Sequence, residues 1–296
     1  MSGHTNSAAG PVVRGILLNG RRHRYLSWGD PGRPVVSLLH GRTAVVETWN
    51  RVAERLSDRF HVVALEQRGH GDSAWAEDGR YHLIDFLEDY ETFADQVIPE
   101  PYLLVGHSMG SCTSLVYASR RPDRLRGLVL EDGGPPGKTV REAVRADHDR
   151  SPESFTSWEA AREHVAREYP HLHGDDLDTR VDTLVRPADS GRYTWRSDVH
   201  RLLGDSHLER DELFDTGQWQ AVERLTVPTL FLWAARPPCL VEPEVIDRMA
   251  AMNPRITKVE IDSGHGIHEE AFEPFMEAVL PFLTERAGPG ARGDGR

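Results

Sequence analysis

The sequence predicts an α/β fold: a mainly parallel eight-stranded sheet with helices on both faces, interrupted once by an inserted helical cap. Three observations carry this. Short apolar runs alternate with amphipathic stretches along most of the chain. The later runs are continuous rather than alternating, as strands buried on both faces require. One stretch, 135–217, breaks the rhythm with helix-like segments such as "SWEAAREHVAREY" and no convincing buried strand.

Strands are expected at 12–19, 23–29, 34–40, 61–66, 102–107, 127–132, 228–234 and 258–262. The first two should form an antiparallel hairpin, because "NGRR" supplies a tight turn and leaves no room for a crossover. Helices are expected at 46–57, 82–98, 109–120, 243–252 and 269–284, with Pro122 shortly after the third. Residues 12–134 and 218–286 would then form the core, and 135–217 the cap. The small, polar segment 1–11 and the glycine- and arginine-rich segment 287–296 read as disordered ends. Arg292-Gly293-Asp294 in the latter reads as a chance tripeptide.

Composition excludes several classes. A formal charge of −12 argues against a phosphate-neutralising surface and so against nucleic acid. No apolar run approaches the roughly 20 residues of a membrane span, and the N-terminus lacks a secretory pattern. Cys112 and Cys239 are too few for a disulfide framework, which suggests a cytoplasmic setting. "HLHGDDLD" at 171–178 has metal-like residue types but reads as a solvated cap loop, and nothing else matches a zinc spacing. With no phosphate-binding glycine loop after a strand, no cofactor and no metal are expected. The expected partner is a small-molecule substrate, with the chain a monomer or homodimer.

The chemistry-bearing stretch is "YLLVGHSMGSCTSLVYAS". Gly106-His107-Ser108-Met109-Gly110 lies between a buried strand and a helix, and this sharp turn forces Ser108 into strained geometry between small neighbours. The helix N-terminus behind it offers free N–H groups to negative charge. A serine hydroxyl is a weak nucleophile and needs a base. His265, directly after the last strand and before the last helix, is the candidate, whereas His268 reads as an ordinary helix-start residue. An oxyanion needs two donors. Met109, after the nucleophile, offers one backbone N–H. Arg42, after His40-Gly41, offers the other, its guanidinium either solvated or meeting a substrate carboxylate or carbonyl.

These pieces together resemble the α/β-hydrolase family over roughly residues 12 to 284. The matching motifs are His40-Gly41, "QRGHGDS" at 67–73, "GHSMG" at 106–110 and "SGHGIHEE" at 263–270. The resemblance implies Ser108 as nucleophile, His265 as base and the N–H groups of Arg42 and Met109 as oxyanion hole. A serine at 108 disfavours the aspartate-nucleophile branch of dehalogenases and epoxide hydrolases. "RGHG" reads as a structural turn.

One element departs from the family pattern. After the seventh strand the pattern has tryptophan, polar residues, aspartate, then proline, yet here Trp233 is followed by "AARPPCLVEP". The carboxylate that orients the imidazole contributes several orders of magnitude in rate. Three explanations compete. Asp132, at the end of the sixth strand before Gly133-Gly134, is the first choice, and alternation turns Glu131 the other way. Glu242 is the alternative acid, against its plain role as a helix-start charge before Pro243. Thirdly, the acid is absent. Cys239 is no substitute.

The expected activity is a cofactor-free serine hydrolase acting through an acyl-enzyme on an ester, lactone or thioester of a small, partly apolar molecule. Cap aromatics such as Trp158, Tyr193 and Trp195 are candidate substrate-binding residues, competing with a role in the cap's own core. Two other readings stay open: a cofactor-independent lyase, cyclase or oxygenase with His265 as base, and a non-catalytic ligand-binding protein.

Overall fold

The computed structural model describes residues 10–204, 211–237 and 240–288. Pro238, Cys239 and most of the two ends expected to be disordered lie outside the described residues. β1 (Val12–Leu18) and β2 (Arg21–Trp28) form the expected antiparallel hairpin. Its two-residue turn holds Asn19 and Gly20 at φ 47° and 79°, the left-handed pair that matches strand twist. There follow β3 (Val35–Leu39), β4 (His61–Leu65), β5 (Tyr102–His107) and β6 (Leu125–Glu131), then β9 (Thr229–Ala234) and β10 (Ile256–Ile261). They join one eight-stranded sheet in the order β1-β2-β4-β3-β5-β6-β9-β10. Only β2 runs against the rest.

The continuous apolar runs have a simple cause, since each central strand feeds two cores. Leu103 and Val105 of β5 join the core with helix α1 (Asn50–Ser57) and the last helix, Phe272–Arg286. Leu104 joins the opposite core with α2 (Leu83–Val97) and α3 (Met109–Arg120). Successive side chains of a strand point to opposite faces, and here both faces are covered.

Two helices depart from expectation. The 46–57 segment begins as a 3₁₀ turn, Val46–Trp49, before α1. The last helix is split into Ile267–Glu270 and Phe272–Arg286, with Ala271 between them at φ −131°.

The segment between β6 and β9 stands outside the sheet and carries α4 (Val140–Arg150), α5 (Trp158–Glu168) and α6 (Gly174–Leu184). It also contains an unforeseen antiparallel ribbon, β7 (Val185–Pro187) with β8 (Tyr193–Trp195). Three-residue strands are too short to show a period. The 171–178 stretch, expected as a loop, enters α6 at Gly174 and buries Leu177. Phe155, Ala161, Val165, Leu177, Val181 and Leu184 give this segment its own core.

One buried ion pair ties the sheet to the short helix Ile267–Glu270. Glu131, fully buried, accepts from His268 Nδ1 at 2.8 and 2.9 Å and from the His268 backbone N–H at 2.8 Å. The imidazole stacks on Trp49 with ring centroids 4.1 Å apart. His268 is therefore not an ordinary helix-start residue, and this corrects the sequence reading. Burial lowers its pKa, but the Glu131 carboxylate overrides this and holds it above its ordinary value.

A histidine pKa raised on folding adds stability that is complete below the unfolded value of about 6.5 and disappears as pH rises through the folded value. His268→Gln should cost about 3–5 kcal/mol near neutral pH by leaving Glu131 uncompensated. Urea titrations of both proteins at about pH 6 and about pH 9 check this. The gap between wild type and variant should narrow at the higher pH, and a constant gap would remove the ionic contribution.

Candidate active site

The β5–α3 turn is built by contact with β6. Ser108 sits at φ 53° and ψ −115°, a strained region for a non-glycine residue. Its backbone N–H donates to Glu131 O at 2.8 Å, so the end of β6 holds the strained residue in place. Ser111, one turn into α3, donates from Oγ to Gly106 O at 2.5 Å and accepts from the Glu131 N–H at 3.0 Å. Gly133 packs so tightly on this turn that a Cβ there would lie 2.2 Å from Ser108 O. Only glycine fits this approach.

Asp132, 1% exposed, follows β6 at φ 41°. Its Oδ2 lies 2.6 Å from His265 Nδ1. Its other oxygen accepts the Ala234 N–H at 3.3 Å, and its own N–H donates to Leu232 O at 2.9 Å. Strand β9 thus contributes backbone, not a carboxylate, to the acid's setting. The structure brings Asp132 and His265 together.

It does not bring Glu242 there. Glu242 Oε1 accepts the N–H groups of Lys138 and Thr139 at 2.7 and 2.9 Å, and its backbone starts the helix Pro243–Met252. Burial opposes ionisation, but these N–H donors outweigh it and hold the carboxyl below its ordinary range. The alternative acid is corrected to a loop-tying role.

His265 stays open to solvent at one edge, its side chain 30% exposed. His107 Nε2–H donates to His265 O at 3.0 Å, and the two rings lie 4.7 Å apart. Burial, reinforced by His265 and His268, pushes the His107 pKa well down and keeps that imidazole neutral. The His265 loop is also tied by Gly264 N–H to Glu270 Oε2 at 2.9 Å and Arg236 N–H to Ser263 O at 3.0 Å.

The Gly41–Arg42 loop crosses directly over the turn. A Cβ on Gly41 would lie 2.8 Å from His107 Nδ1 and 3.2 Å from Ser108 Cβ. Two neutral histidines fix this loop. His40 accepts the Gln67 N–H at Nε2 (3.0 Å), and burial lowers its pKa to about 4. His70 accepts the Thr43 N–H at 3.2 Å and donates to Arg68 O at 2.7 Å. The "QRGHGDS" turn is therefore structural, and it positions the loop. It is anchored in turn by Arg68 on Asp89 at 2.6 Å, where burial opposes ionisation but His23 and Arg68 hold the Asp89 carboxyl down to about 2. The loop that carries Arg42 is thus brought against Ser108 through Gly41, and Met109 follows Ser108 at the start of α3.

The cap aromatics fall elsewhere. Trp158 donates its ring N–H to Asp182 at 2.7 Å, and Trp195 donates to Pro152 O at 2.8 Å and meets Phe155 edge-on at 5.0 Å. Tyr193 pairs its backbone with Phe155. All three pack on the segment's own core, because an amphipathic ring satisfies both ends there. None lines the pocket beside Met109, which is instead bounded by residues such as Leu83, Phe86 and Phe214. The structure therefore places Trp158, Tyr193 and Trp195, the expected substrate-binding residues, against the segment's own core, with Trp195 also reaching the main core. Among the described residues no cluster of three or more ligating side chains could hold a metal, and no helix is long and apolar enough to cross a membrane.

Comparison with known proteins fits this geometry. The profile of the α/β hydrolase fold matches residues 34–272. A 2-(acetamidomethylene)succinate hydrolase of Mesorhizobium japonicum is 31% identical over 84% of this chain and 88% of its own. An sn-1-specific diacylglycerol lipase of Mus musculus is 28% identical over 86% and 83%. Among solved structures, that of E-2-(acetamidomethylene)succinate hydrolase superposes with a TM-score of 0.80 at 23% identity, covering 92% of this chain and 99% of that one. With most of its length matched by the family profile, the chain belongs to the α/β hydrolase fold family.

Proposed function

We propose that this enzyme is a serine hydrolase that cleaves an ester or thioester of a small molecule through an acyl-enzyme. The observation that carries the reading is the 2.6 Å contact of His265 Nδ1 with buried Asp132, set beside a strained serine turn. Asp132 keeps the proton on Nδ1, which leaves Nε2 as the basic nitrogen. Ser108 Oγ attacks the carbonyl carbon while His265 Nε2 takes its proton. The oxyanion is held by the N–H groups of Arg42 and Met109. Collapse expels the alcohol or thiol, which leaves with the proton from His265. Water then attacks the acyl-enzyme, gives its proton to His265, and the acid departs as Ser108 recovers its own.

Segment 135–217 acts as the cap that roofs the site, and the reading places the enzyme in the cytoplasm on cysteine use alone. The hydrolytic names of the relatives, one acting on 2-(acetamidomethylene)succinate and one a lipase, support the reaction class.

A fluorophosphonate probe should add one phosphonyl group, read by intact mass, and peptide mapping should place it on Ser108. Ser108→Ala should carry none, and a folded wild-type protein that stays unlabelled would sink the serine nucleophile. Asp132→Asn should lower kcat by about 10³- to 10⁴-fold by releasing the wrong tautomer. Glu242→Gln should stay within a few-fold of wild type, because its carboxylate serves the 137–139 loop. Near-wild-type turnover in Asp132→Asn would remove it from the triad.

A further inference from the structure

The proposed cap touches the stretch that carries His265 through an enclosed ion pair. Its stems are bonded to the core. At one end Glu242 accepts the N–H groups of Lys138 and Thr139. At the other, the Asp198 N–H donates to Gly69 O at 2.8 Å and its carboxylate accepts the Tyr81 hydroxyl at 2.9 Å. Between the stems, α5 and α6 pack on their own core. From α6, Arg180 pairs with Glu269 Oε1 in the short helix Ile267–Glu270, the two side chains 12% and 17% exposed. The guanidinium also lies over the Tyr169 ring at the end of α5, 4.9 Å from its centroid. Burial opposes its charge, but Glu269 and Tyr169 outweigh this and hold the Arg180 pKa above its ordinary value. The other carboxylate oxygen of Glu269 faces Gly266, 3.5 Å from where a Cβ would stand there. Gly266 follows His265 directly, and its carbonyl accepts the Glu269 and Glu270 N–H groups at 3.0 and 2.9 Å.

We propose that Arg180 is a positioning residue: from the cap it holds Glu269 on the Gly266 turn and so sets where His265 stands. This rests on the acyl-enzyme reading, in which His265 is the base. A buried ion pair contributes little net stability over a well-packed apolar contact, so its consequence here is geometric. A guanidinium stacked on a ring and paired with a carboxylate has few alternative placements, and it fixes the carboxylate likewise. Glu131 on His268 sets how the short helix sits on the sheet, and Asp132 sets the His265 ring. Arg180 adds the link that neither supplies. It makes the backbone turn beside His265 depend on the seating of α6. A cap that shifts takes the Glu269 carboxylate with it, and that turn loosens.

The test is a mutant cycle of Arg180→Met, Glu269→Gln and the double variant, read by fluorophosphonate labelling of Ser108. Each single change should slow the maximal labelling rate by about 10- to 100-fold, with probe affinity little changed. The double variant should be no slower than the slower single one, since both changes remove the same contact. Arg162→Met is the control, because it removes an ion pair to Asp178 inside the cap, and it should stay within about twofold of wild type. Wild-type rates in the single variants, losses that multiply in the double variant, a loss confined to probe affinity, or an equal loss in the control each overturn the proposal. Backbone hydrogen exchange, read by mass spectrometry on the folded proteins, separates this from failure of the acyl-enzyme reading. Arg180→Met should speed exchange across 264–271 and leave β5 and the start of α3 unchanged, whether or not the probe reacts. Exchange at 264–271 that matches wild type overturns the proposal even in a protein that no probe labels.

Discussion

The site depends on one contact, the seam where the ends of β5 and β6 meet. Ser108 N–H on Glu131 O, Ser111 Oγ bridging both strands, and Gly133 pressed on the Ser108 backbone form a single small assembly. Two residues in left-handed backbone, Ser108 and Asp132, sit on either side of it. Each costs on the order of 1–3 kcal/mol and persists only where surrounding bonds over-determine it. Because the strands are neighbours in a parallel sheet, Ser108 and Asp132 emerge at the same edge with no loop to search. Their relative position is a property of sheet register, which pairs His107 with Glu131.

From that seam, two consecutive carboxylates reach in opposite directions. Asp132 holds His265, and Glu131 holds His268. Strand alternation separates the acids, and the start of a helix separates the histidines by three residues. Fixing both ends of this short segment limits how far His265 can drift. His107 adds a third tie from the turn itself, through the His265 carbonyl. A histidine held by its ring, its own carbonyl and the helix that follows is pre-organised, which is the condition under which electrostatic stabilisation acts without reorganisation cost.

Much of this was legible in the sequence because the constraints are local. The turn around Ser108 declares itself through small residues between a buried strand and a helix. The hairpin follows from Asn19-Gly20, and Asp132 from its place after a strand that ends before two glycines. The Glu131–His268 pair was not legible. Alternation says that Glu131 turns away, but its partner lies 137 residues distant and only tertiary packing selects it. Likewise, β7 and β8 are too short to display a period, and a ring such as Trp195 carries the same composition whether it lines a pocket or fills a core. The Arg42 side chain stayed open for the same reason: a lone basic residue after His40-Gly41 does not reveal what its head group meets.

The vacancy after β9 then has a physical reading. A carboxylate delivered from that loop would aim at the same imidazole nitrogen that Asp132 already occupies. Two acids converging there would repel, and one would be driven toward its neutral form. The loop instead supplies what a single acid needs: the Ala234 N–H on Asp132, and Arg236, whose N–H binds Ser263 O while its guanidinium holds Asp262 at 2.8 Å, just ahead of the base. A loop carrying the acid must reach toward the histidine. With Asp132 on His265, Arg236 is left to brace the Asp262–Ser263 stretch that leads to His265. The end of β9 and the residues after it thus serve Asp132 and His265 through backbone and a surface ion pair, with the carboxylate on His265 supplied by the neighbouring strand.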